Sequence, residues 1–416
     1  MKIKSLNILT LVFSICFIGI VNSQINSEIA KSPPMGWNSW NWYGKHDINE
    51  NEVKKVIDFM VENGLREAGY NYVIIDGGWR DTKLGKNGEL LAHPVKFPNG
   101  IKPLADYAHA KGMKLGVHVV PGTHDCGGDL VGGYGYEEVH VQQFVDWGLD
   151  FIKLDKCTFI DEDCDDCSKS INGGWSEEIV EKSYRKWSKL LRNCGRDIVF
   201  SISAYVYRDW YPEVCNMART TYDIRARIHK GGADFVKPEK YKKPHLSVME
   251  IAEENNRAAQ FAGNGYWNDP DMLITGIQGL SRNEQTSHFG LWCIMSAPLM
   301  LGNNLEHMDK FEKNLILNKE MIAVNQDATE QGKIVKREDK MQVWAKKLKN
   351  DDYALLFLNL DDSKQREIAI NLKDLGINYK VTGRDIINHR NLGAFQGSIS
   401  VMAKPHESKM LVISTK

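Results

Sequence analysis

Two charged residues, Lys153 and Asp155, lie two positions apart in the otherwise apolar run 151–155, which reads FIKLD. Side chains alternate along a β-strand, so both charges point to the same face of this one. Burying an ammonium and a carboxylate is costly unless each has a partner or a task, so the pair indicates a functional site. A buried lysine with a lowered pKa could form a Schiff base, as in aldolases, but the anion at Asp155 would keep Lys153 charged.

Other apolar runs also contain or end in polar residues that could do chemistry. They are Asp76 at the end of run 71–76, His118 in 115–121, Ser203 at the end of 198–203, Asp223 in 221–225, and Asp269 and Asp271 in 267–273. Each acid alone could cap a helix or form a loop ion pair, whereas several acids at successive strand ends are costly unless they are used. Two carboxylates without a metal-binding histidine cluster suit glycoside cleavage, in which one acid protonates the leaving oxygen and another attacks or activates water.

The elements that must position these residues repeat along the chain. From about residue 33 to residue 327, short apolar runs alternate with helical patterns, which is typical of β/α units around a parallel sheet. About eight units in roughly 300 residues match a (β/α)₈ barrel, whose active sites lie at the C-terminal ends of the strands. A doubly wound sheet is the competing architecture, but no glycine-rich phosphate loop follows the first strand. Tryptophans near these strand ends, at positions 37, 40, 42, 79 and 267, could either bind sugar rings or pack in the core.

The pattern of the sequence changes after Asp327. Segments 341–348, 352–360, 367–372 and 409–415 are typical of strands, and turn-rich stretches without helical stripes separate them. This pattern predicts a small antiparallel β-sandwich. The predicted fold class is therefore α/β, with a (β/α)₈ TIM barrel at 24–328 followed by a C-terminal antiparallel β-domain at 329–416.

The first 23 residues predict a secretory signal peptide. Lys2 and Lys4 precede an apolar stretch at 8–21, and small or polar residues follow it. A membrane anchor is the alternative, but the stretch is shorter than the ~20 residues of a spanning helix. We therefore expect a mature chain that begins near Gln24, is secreted or periplasmic, and has no membrane attachment.

Charge and cysteine content restrict the partners and cofactors. The chain has 53 Lys and Arg against 54 Asp and Glu and no basic patch interleaved with aromatics, which argues against nucleic acid as a partner. Of eight cysteines, Cys16 lies in the signal segment, so seven remain and at least one is unpaired within the chain. Cys164 and Cys167 form at most half of a zinc site, and an oxidising compartment favours disulfides.

Seven stretches occur in order along the chain: PPMGWNSW, IDGGW, FIKLDKC, ARTTYDI, GYWNDPDML, EQTSHFGLWCIMSAPLMLG and IAVNQD. This ordered set resembles glycoside hydrolase family 27, the α-galactosidases and α-N-acetylgalactosaminidases, over essentially the whole mature chain. The resemblance implies a retaining double displacement, with Asp155 as the nucleophile and Asp223, four residues after Arg219, as the acid/base. It also implies that Lys153 contacts the sugar and keeps Asp155 ionised.

The resemblance extends to other pocket positions and to one covalent link. It implies a disulfide between Cys126 and Cys157 that ties two active-site loops together, and an oligosaccharide or glycan as the substrate. Neither a cofactor nor a metal is expected, and the oligomeric state stays open. Ile202 leaves Cys215 without its usual partner. The other substrate-binding candidates are Trp40, Asp76, His118, Ser203, Arg219, Asp271 and Met272.

The chain departs from the family pattern around the sugar. Gly77 stands where relatives carry a second aspartate that grips the O4/O6 side of galactose, and His118 replaces a tyrosine. Ser203 replaces a glutamate that faces the 2-hydroxyl, which is similar to the N-acetylgalactosaminidases, but Val206 is bulkier than their small residue.

We expect a secreted retaining exo-glycosidase that hydrolyses terminal α-D-galactosyl residues from oligosaccharides or glycans. One alternative is the same mechanism on another glycone, namely an α-N-acetylgalactosaminide, a β-L-arabinopyranoside or an isomaltose-type α-glucoside. An alternative of a different class is a carbohydrate-binding protein without catalysis.

Overall fold

Eight parallel strands form the central sheet of this computed structural model, which describes residues 28–160, 175–224, 233–236, 246–263, 265–277 and 279–414. The strands are β1 (Met35–Asn38), β2 (Tyr72–Ile75), β3 (Lys114–Val119), β4 (Phe151–Asp155), β5 (Val199–Ser203), β6 (Met217–Arg219), β7 (Trp267–Asp269) and β8 (Leu299–Leu301). Neighbouring strands pair in chain order from β1 to β7, and β8 pairs with β1. Leu273, after β7, bridges to Leu301 and closes the ring. The barrel prediction is thus confirmed, while the predicted signal segment 1–23 lies outside the described residues.

Ten α-helices accompany the strands in the described part of the chain. They are α1 (Trp40–Asp47), α2 (Glu50–Glu62), α3 (Lys102–Ala110), α4 (Glu137–Trp147), α5 (Glu177–Arg192), α6 (Tyr211–Val214), α7 (Val248–Arg257), α8 (Arg282–Ile294), α9 (Lys310–Ile316) and α10 (Lys319–Gln326). Helix α2 begins at a side-chain cap, because the Asn49 side chain accepts hydrogen bonds from the backbone N–H groups of Asn51 and Glu52. Within the described ranges, no helix has both the length and the apolar character needed to cross a membrane.

The inside of the barrel has an apolar layer towards the N-terminal ends of the strands and a polar layer towards the C-terminal ends. Alternate residues of each strand face inward. On β4, Phe151 packs in the apolar layer, and Lys153 and Asp155 follow it along the strand. The apolar layer comprises Ala30, Tyr72, Ile74, Phe151, Val199, Met217, Trp267 and Met300, and Met272, which follows β7, packs against it. Strand alternation therefore gathers polar side chains at one end of the barrel.

Most of the tryptophans considered for sugar binding belong to the core. Trp37, Trp79 and Trp267 are fully buried, and each indole N–H donates to a backbone carbonyl. Their hydrogen-bonding needs are met inside the protein. Trp40, the first residue of α1, is only half-buried and stays a candidate for the site.

One predicted strand is wrong. The sequence predicts a strand at 221–225, whereas β6 ends at Arg219 and a loop carries Asp223. The backbone N–H of Ile224 donates to Asp271 Oδ2 at 2.8 Å, and the N–H of Leu246 donates to the carbonyl of Asp223. Ile224 is buried beside the barrel mouth, so its apolar character reflects loop packing and not a strand of the sheet.

The C-terminal part is an antiparallel β-sandwich, as predicted. Its strands are β9 (Lys333–Glu338), β10 (Met341–Lys347), β11 (Tyr353–Asn359), β12 (Arg366–Asn371), β13 (Val381–Asp385), β14 (Arg390–Phe395), β15 (Ser398–Ala403) and β16 (Ser408–Ser414). Six strands form one sheet, and β12 pairs with β15 in the other. Apolar side chains between the sheets, such as Phe357 and Ile399, form the core. Four strands, β9, β13, β14 and β15, were not predicted. Of these, β9 and β14 are largely exposed and have few apolar residues.

The sandwich packs directly on the barrel. A Cβ placed on Gly290 of α8 would lie 2.8 Å from Leu356 Cδ1 of β11, so helix and sheet approach closely at this glycine. Lys346 of β10 is fully buried, and its ammonium donates to Ser296 Oγ at 2.6 Å. It also donates to two backbone carbonyls at the end of α10, those of Val324 and Asp327. Apolar residues of both parts belong to one continuous core.

Candidate active site

Strand register brings the polar inward residues of neighbouring strands together. His118 of β3 is paired with Lys153 of β4, and Asp155 of β4 is paired with Ser203 of β5. Asp76 directly follows β2, and its side chain reaches Lys153. Backbone pairing between strands that are distant in sequence therefore builds the site.

Lys153 forms a buried ion pair with Asp76. Its ammonium donates to Asp76 Oδ2 at 2.7 Å, and Asn38 Nδ2 donates to the same oxygen at 3.0 Å. Burial disfavours the charged form of Asp76, but the charges of Lys153 and His118 and these hydrogen bonds outweigh burial and lower its pKa. Burial also disfavours the charged form of Lys153, but the charges of Asp76 and Asp155 outweigh burial and raise the pKa of Lys153. A lysine held in its charged form is a poor nucleophile, which disfavours the Schiff-base alternative.

Both carboxylate oxygens of Asp155 have hydrogen-bond partners. His118 Nε2 lies 3.2 Å from Oδ2, and the Tyr205 hydroxyl donates to Oδ1 at 2.9 Å. Burial disfavours ionisation, but the hydrogen bond and charge of His118, followed by the charge of Lys153, lower the pKa of Asp155. The charge of Lys153 thus contributes to the ionisation of Asp155, although the direct hydrogen-bond partner of Lys153 is Asp76. Asp155 is thus an ionised carboxylate that retains 15% side-chain exposure.

Arg219 holds two further carboxylates. Its Nη1 and Nη2 atoms donate to Asp223 Oδ1 at 3.2 Å, and Nη2 lies 3.0 Å from Asp271 Oδ2. The Asp223 side chain is 42% exposed, whereas Asp271 is buried. Burial raises the pKa of Asp271 to about 6 against the attraction of Arg219, and the charges of Asp223 and Asp269 act in the same direction as burial. Asp223 is accessible enough to exchange protons with a ligand or with water.

Tyr205 connects the surroundings of the two predicted catalytic carboxylates. Its ring stacks on Tyr222, the residue before Asp223, with centroids 5.8 Å apart and planes 4° from parallel. Burial, then the negative charges of Asp155 and Asp223, raise the pKa of Tyr205. Tyr205 therefore binds Asp155 through its hydroxyl and packs through its ring on the residue next to Asp223.

The other predicted pocket residues lie around this centre. A Cβ on Gly77 would be 3.1 Å from Trp40 Cζ3, so the indole covers the space next to Gly77. Met272, which follows β7, is buried against the apolar layer, and Ser203 is buried beside Asp155. Met272 can offer only apolar contact.

The predicted disulfide between Cys126 and Cys157 is present, with an S–S distance of 2.01 Å. It joins the loop after β3 to the segment that directly follows Asp155. Cys194, Cys215 and Cys293 have free thiols, which confirms the expectation for Cys215. Cys164 and Cys167 lie outside the described residues. Among the described residues, one group of possible metal ligands comprises Cys126, Asp155 and Cys157, but the disulfide already uses both sulfurs.

Sequence reasoning missed Tyr205 and Asn38, which contact the charged residues. Asn38 ends β1 and donates to Asp76, so the rule applied to other strand ends would have found it. Tyr205 lies two residues beyond β5 and has a positive φ of 66°. A turn of this kind redirects the side chain, and strand alternation carries no signal for it.

Replacing Lys153 with Met should destabilise the fold by about 3–5 kcal/mol at pH 7, because the buried Asp76 loses its partner. The lowered pKa of Asp76 gives the wild type stability that is present above the unfolded-state pKa near 3.8 and is lost as pH falls through the folded-state pKa. In the variant, Asp76 takes up its proton at higher pH. The stability difference should therefore shrink at acid pH, and urea unfolding between pH 3.5 and pH 7 measures it.

Lys102→Met is the matched control. Lys102 pairs with Asp106 on the exposed face of α3, where loss of the pair should change stability by less than about 1 kcal/mol. A Lys153→Met deficit that is equally large at pH 3.5 and pH 7 would contradict the proposed dependence on Asp76.

Known protein families match both parts of the chain. Residues 32–327 match the family described as Alpha galactosidase A, and residues 338–413 match the Alpha galactosidase C-terminal beta sandwich domain. The chain is 37% identical over 398 residues to Alpha-galactosidase 2 of Arabidopsis thaliana, which covers 94% of this chain and 92% of that protein. It is 35% identical over 394 residues to an alpha-galactosidase of Cyamopsis tetragonoloba, covering 93% and 87%.

A solved structure agrees with the fold. Alpha-galactosidase I from Mortierella vinacea matches with a TM-score of 0.84 and 28% sequence identity, covering 94% of this chain and 98% of that one. The match therefore includes the barrel with its polar end and the C-terminal sandwich. The chain belongs to the α-galactosidase family and is a glycoside hydrolase.

Proposed function

We propose that the chain hydrolyses terminal α-D-galactosyl residues of oligosaccharides or glycans by a retaining double displacement. The observation that carries this proposal is the pair of unlike carboxylates at the polar end of the barrel. Asp155 is ionised and has a partner on each oxygen, whereas Asp223 is exposed and lies against Arg219. The names of the relatives support galactose as the glycone.

The two carboxylates divide the work. In the first step, an oxygen of Asp155 attacks the anomeric carbon, the bond to the leaving oxygen breaks, and Asp223 gives that oxygen its proton. In the second step, Asp223 takes a proton from water, the water oxygen attacks the anomeric carbon, and Asp155 leaves as a carboxylate. Two inversions preserve the α configuration. This mechanism requires carboxyl groups about 5–5.5 Å apart.

Charged neighbours of the two carboxylates can orient the sugar ring. The Lys153 ammonium has three N–H donors, and its bond to Asp76 leaves others for a sugar hydroxyl. Asp76, Arg219 and Asp271 supply further charge-assisted hydrogen bonds, which are stronger than neutral ones. We assign Trp40, His118, Ser203 and Met272 to the rest of the pocket wall.

A second glycone, β-L-arabinopyranose, is favoured by the surroundings of Gly77. This sugar is galactose without its exocyclic carbon, so it has no O6 hydroxyl to bind. Gly77 provides no carboxylate there, and the Trp40 ring lies 3.1 Å from the position that its Cβ would take. An apolar ring face suits a pyranose that lacks the exocyclic group.

Hydrolysis of p-nitrophenyl α-galactoside, α-N-acetylgalactosaminide, β-L-arabinopyranoside and α-glucoside should distinguish these glycones. We expect the largest kcat/KM for the α-galactoside, and NMR during turnover should detect α-galactose before β-galactose. If another glycoside has the largest kcat/KM, the proposed glycone changes and the proposed mechanism does not. Detection of β-galactose before α-galactose would contradict a retaining mechanism. A chain that binds these glycosides without hydrolysing any of them would be a carbohydrate-binding protein.

We also propose that the chain acts outside the cytoplasm. The signal-like pattern at 1–23 supports this location. The disulfide between Cys126 and Cys157 adds support, because such bonds persist in oxidising compartments.

A further inference from the structure

We propose that Tyr205 is a positioning residue for Asp155, and that its stack on Tyr222 couples the orientation of Asp155 to the loop that carries Asp223. This inference rests on the proposed function for its effect on catalysis. The hydrogen bond to Asp155 and its influence on that carboxyl can be tested independently of catalysis.

The first argument is the geometry at Asp155. The Tyr205 hydroxyl donates to Oδ1 at 2.9 Å, and His118 Nε2 lies 3.2 Å from Oδ2. One partner on each oxygen fixes the plane of a carboxylate, which a single partner would leave free to rotate. Attack requires a carboxylate oxygen at a defined angle to the anomeric carbon, so fixing this plane aids reaction.

The second argument is that the backbone around Tyr205 is built to hold it there. Tyr205 has a φ of 66°, a conformation that bulky residues rarely adopt and that persists where the surroundings enforce it. Arg208 Nη1 donates to the carbonyls of Ala204 and Val206, on either side of Tyr205, at 3.1 and 3.3 Å. Glu177 in turn accepts two hydrogen bonds from Arg208.

The third argument is the stack with Tyr222. The two rings are 4° from parallel, with centroids 5.8 Å apart. Tyr222 precedes Asp223, whose carboxylate is bound to Arg219. The stack thus connects the turn that orients Asp155 with the loop that presents Asp223 to the leaving oxygen. Movement of either loop would disturb the other.

The hydroxyl should matter in both steps of the double displacement. Before attack, it stabilises the carboxylate form of Asp155. In the second step, the bond between the anomeric carbon and Asp155 breaks and its electrons return to the carboxylate, where the hydroxyl again stabilises the negative charge.

Tyr205→Phe tests the proposal because it removes the hydroxyl and keeps the ring. We expect kcat/KM to fall about tenfold or more, since hydrogen bonds to charged groups exceed neutral ones in strength. In ¹³C NMR of protein labelled at the aspartate carboxyl carbons, the Asp155 signal should titrate at higher pH than in the wild type. The Asp155 signal is identified as the one that is absent from the spectrum of Asp155→Asn.

Tyr207→Phe is the matched control in the same loop. Its buried hydroxyl has no hydrogen-bond partner among the described residues, so its removal should leave kcat/KM and the Asp155 titration unchanged. Tyr222→Leu removes the stack, and should lower kcat/KM while leaving the unfolding temperature close to that of the wild type.

An unchanged Asp155 titration in Tyr205→Phe would overturn the proposal, whatever happens to activity. If Tyr205→Phe changes the Asp155 titration but the wild-type protein hydrolyses no glycoside, the proposed function is overturned. The positioning role of Tyr205 then stands. Wild-type kcat/KM in Tyr222→Leu would overturn the coupling through the stack and leave the role of the hydroxyl intact.

Discussion

Asp155→Asn should lower kcat by about 10⁴-fold or more, equivalent to ~5.5 kcal/mol of activation free energy, while the fold stays intact. The amide has the shape of the carboxylate but is a far weaker nucleophile, so the glycosyl-enzyme cannot form at a useful rate. Steady-state hydrolysis of p-nitrophenyl α-galactoside measures the loss, and circular dichroism verifies the fold. Hydrolysis at the wild-type rate would refute the assignment of Asp155.

Stereochemistry gives a second readout at the same position. In Asp155→Gly, azide can occupy the vacated space and attack an activated α-galactoside directly. A single displacement inverts the anomeric carbon, so the product should be β-galactosyl azide. An α-azide would indicate that another group still forms the covalent intermediate.

Asp150→Asn is the matched control for Asp155→Asn. Asp150 precedes β4 at the opposite end of the barrel, where its carboxylate binds His109 and Arg196. Its replacement should reduce stability and leave kcat unchanged. A comparable loss of kcat in this control would mean that instability explains the effect at Asp155.

Asp223→Gly should lower kcat/KM by about 10²- to 10⁴-fold for an oligosaccharide, whose leaving oxygen needs a proton. The loss should be much smaller for a dinitrophenyl galactoside, whose leaving group departs as a stable anion. The ratio of the two kcat/KM values measures the contribution of Asp223 as an acid. Equal losses on both substrates would contradict this role.

Azide distinguishes the two carboxylates in these variants. In Asp223→Gly, Asp155 still forms the glycosyl-enzyme, and azide would replace water in the second step. Two displacements then give α-galactosyl azide, the opposite anomer from the Asp155→Gly product. Formation of the β anomer by both variants would contradict the division of work between Asp155 and Asp223.

Much of the fold and the candidate site follows from local sequence patterns. The run 151–155 is β4 from its first to its last residue, and alternation correctly puts Lys153 and Asp155 among the inward-facing positions. Polar ends of apolar runs also lead to Asp76 and His118. These predictions succeed because strand period and barrel topology are strong constraints on side-chain direction.

The pairing of charges could not be predicted in the same way. Lys153 is closer in sequence to Asp155, but it binds Asp76 because the register of distant strands decides which carboxylate its ammonium reaches. The contact from Tyr205 depends on a turn with positive φ and on Arg208. Such contacts depend on tertiary structure, and one sequence contains no period that reports them.

The buried Lys346 ammonium and the close approach of Gly290 to Leu356 have a practical consequence for protein engineering. The β-sandwich cannot be exchanged or removed like a domain on a flexible linker. Its removal would expose helix ends and an apolar helix face to water. A shortened enzyme without the sandwich would first need a redesigned barrel surface where the sandwich now packs. Only then would changes to its pocket become useful.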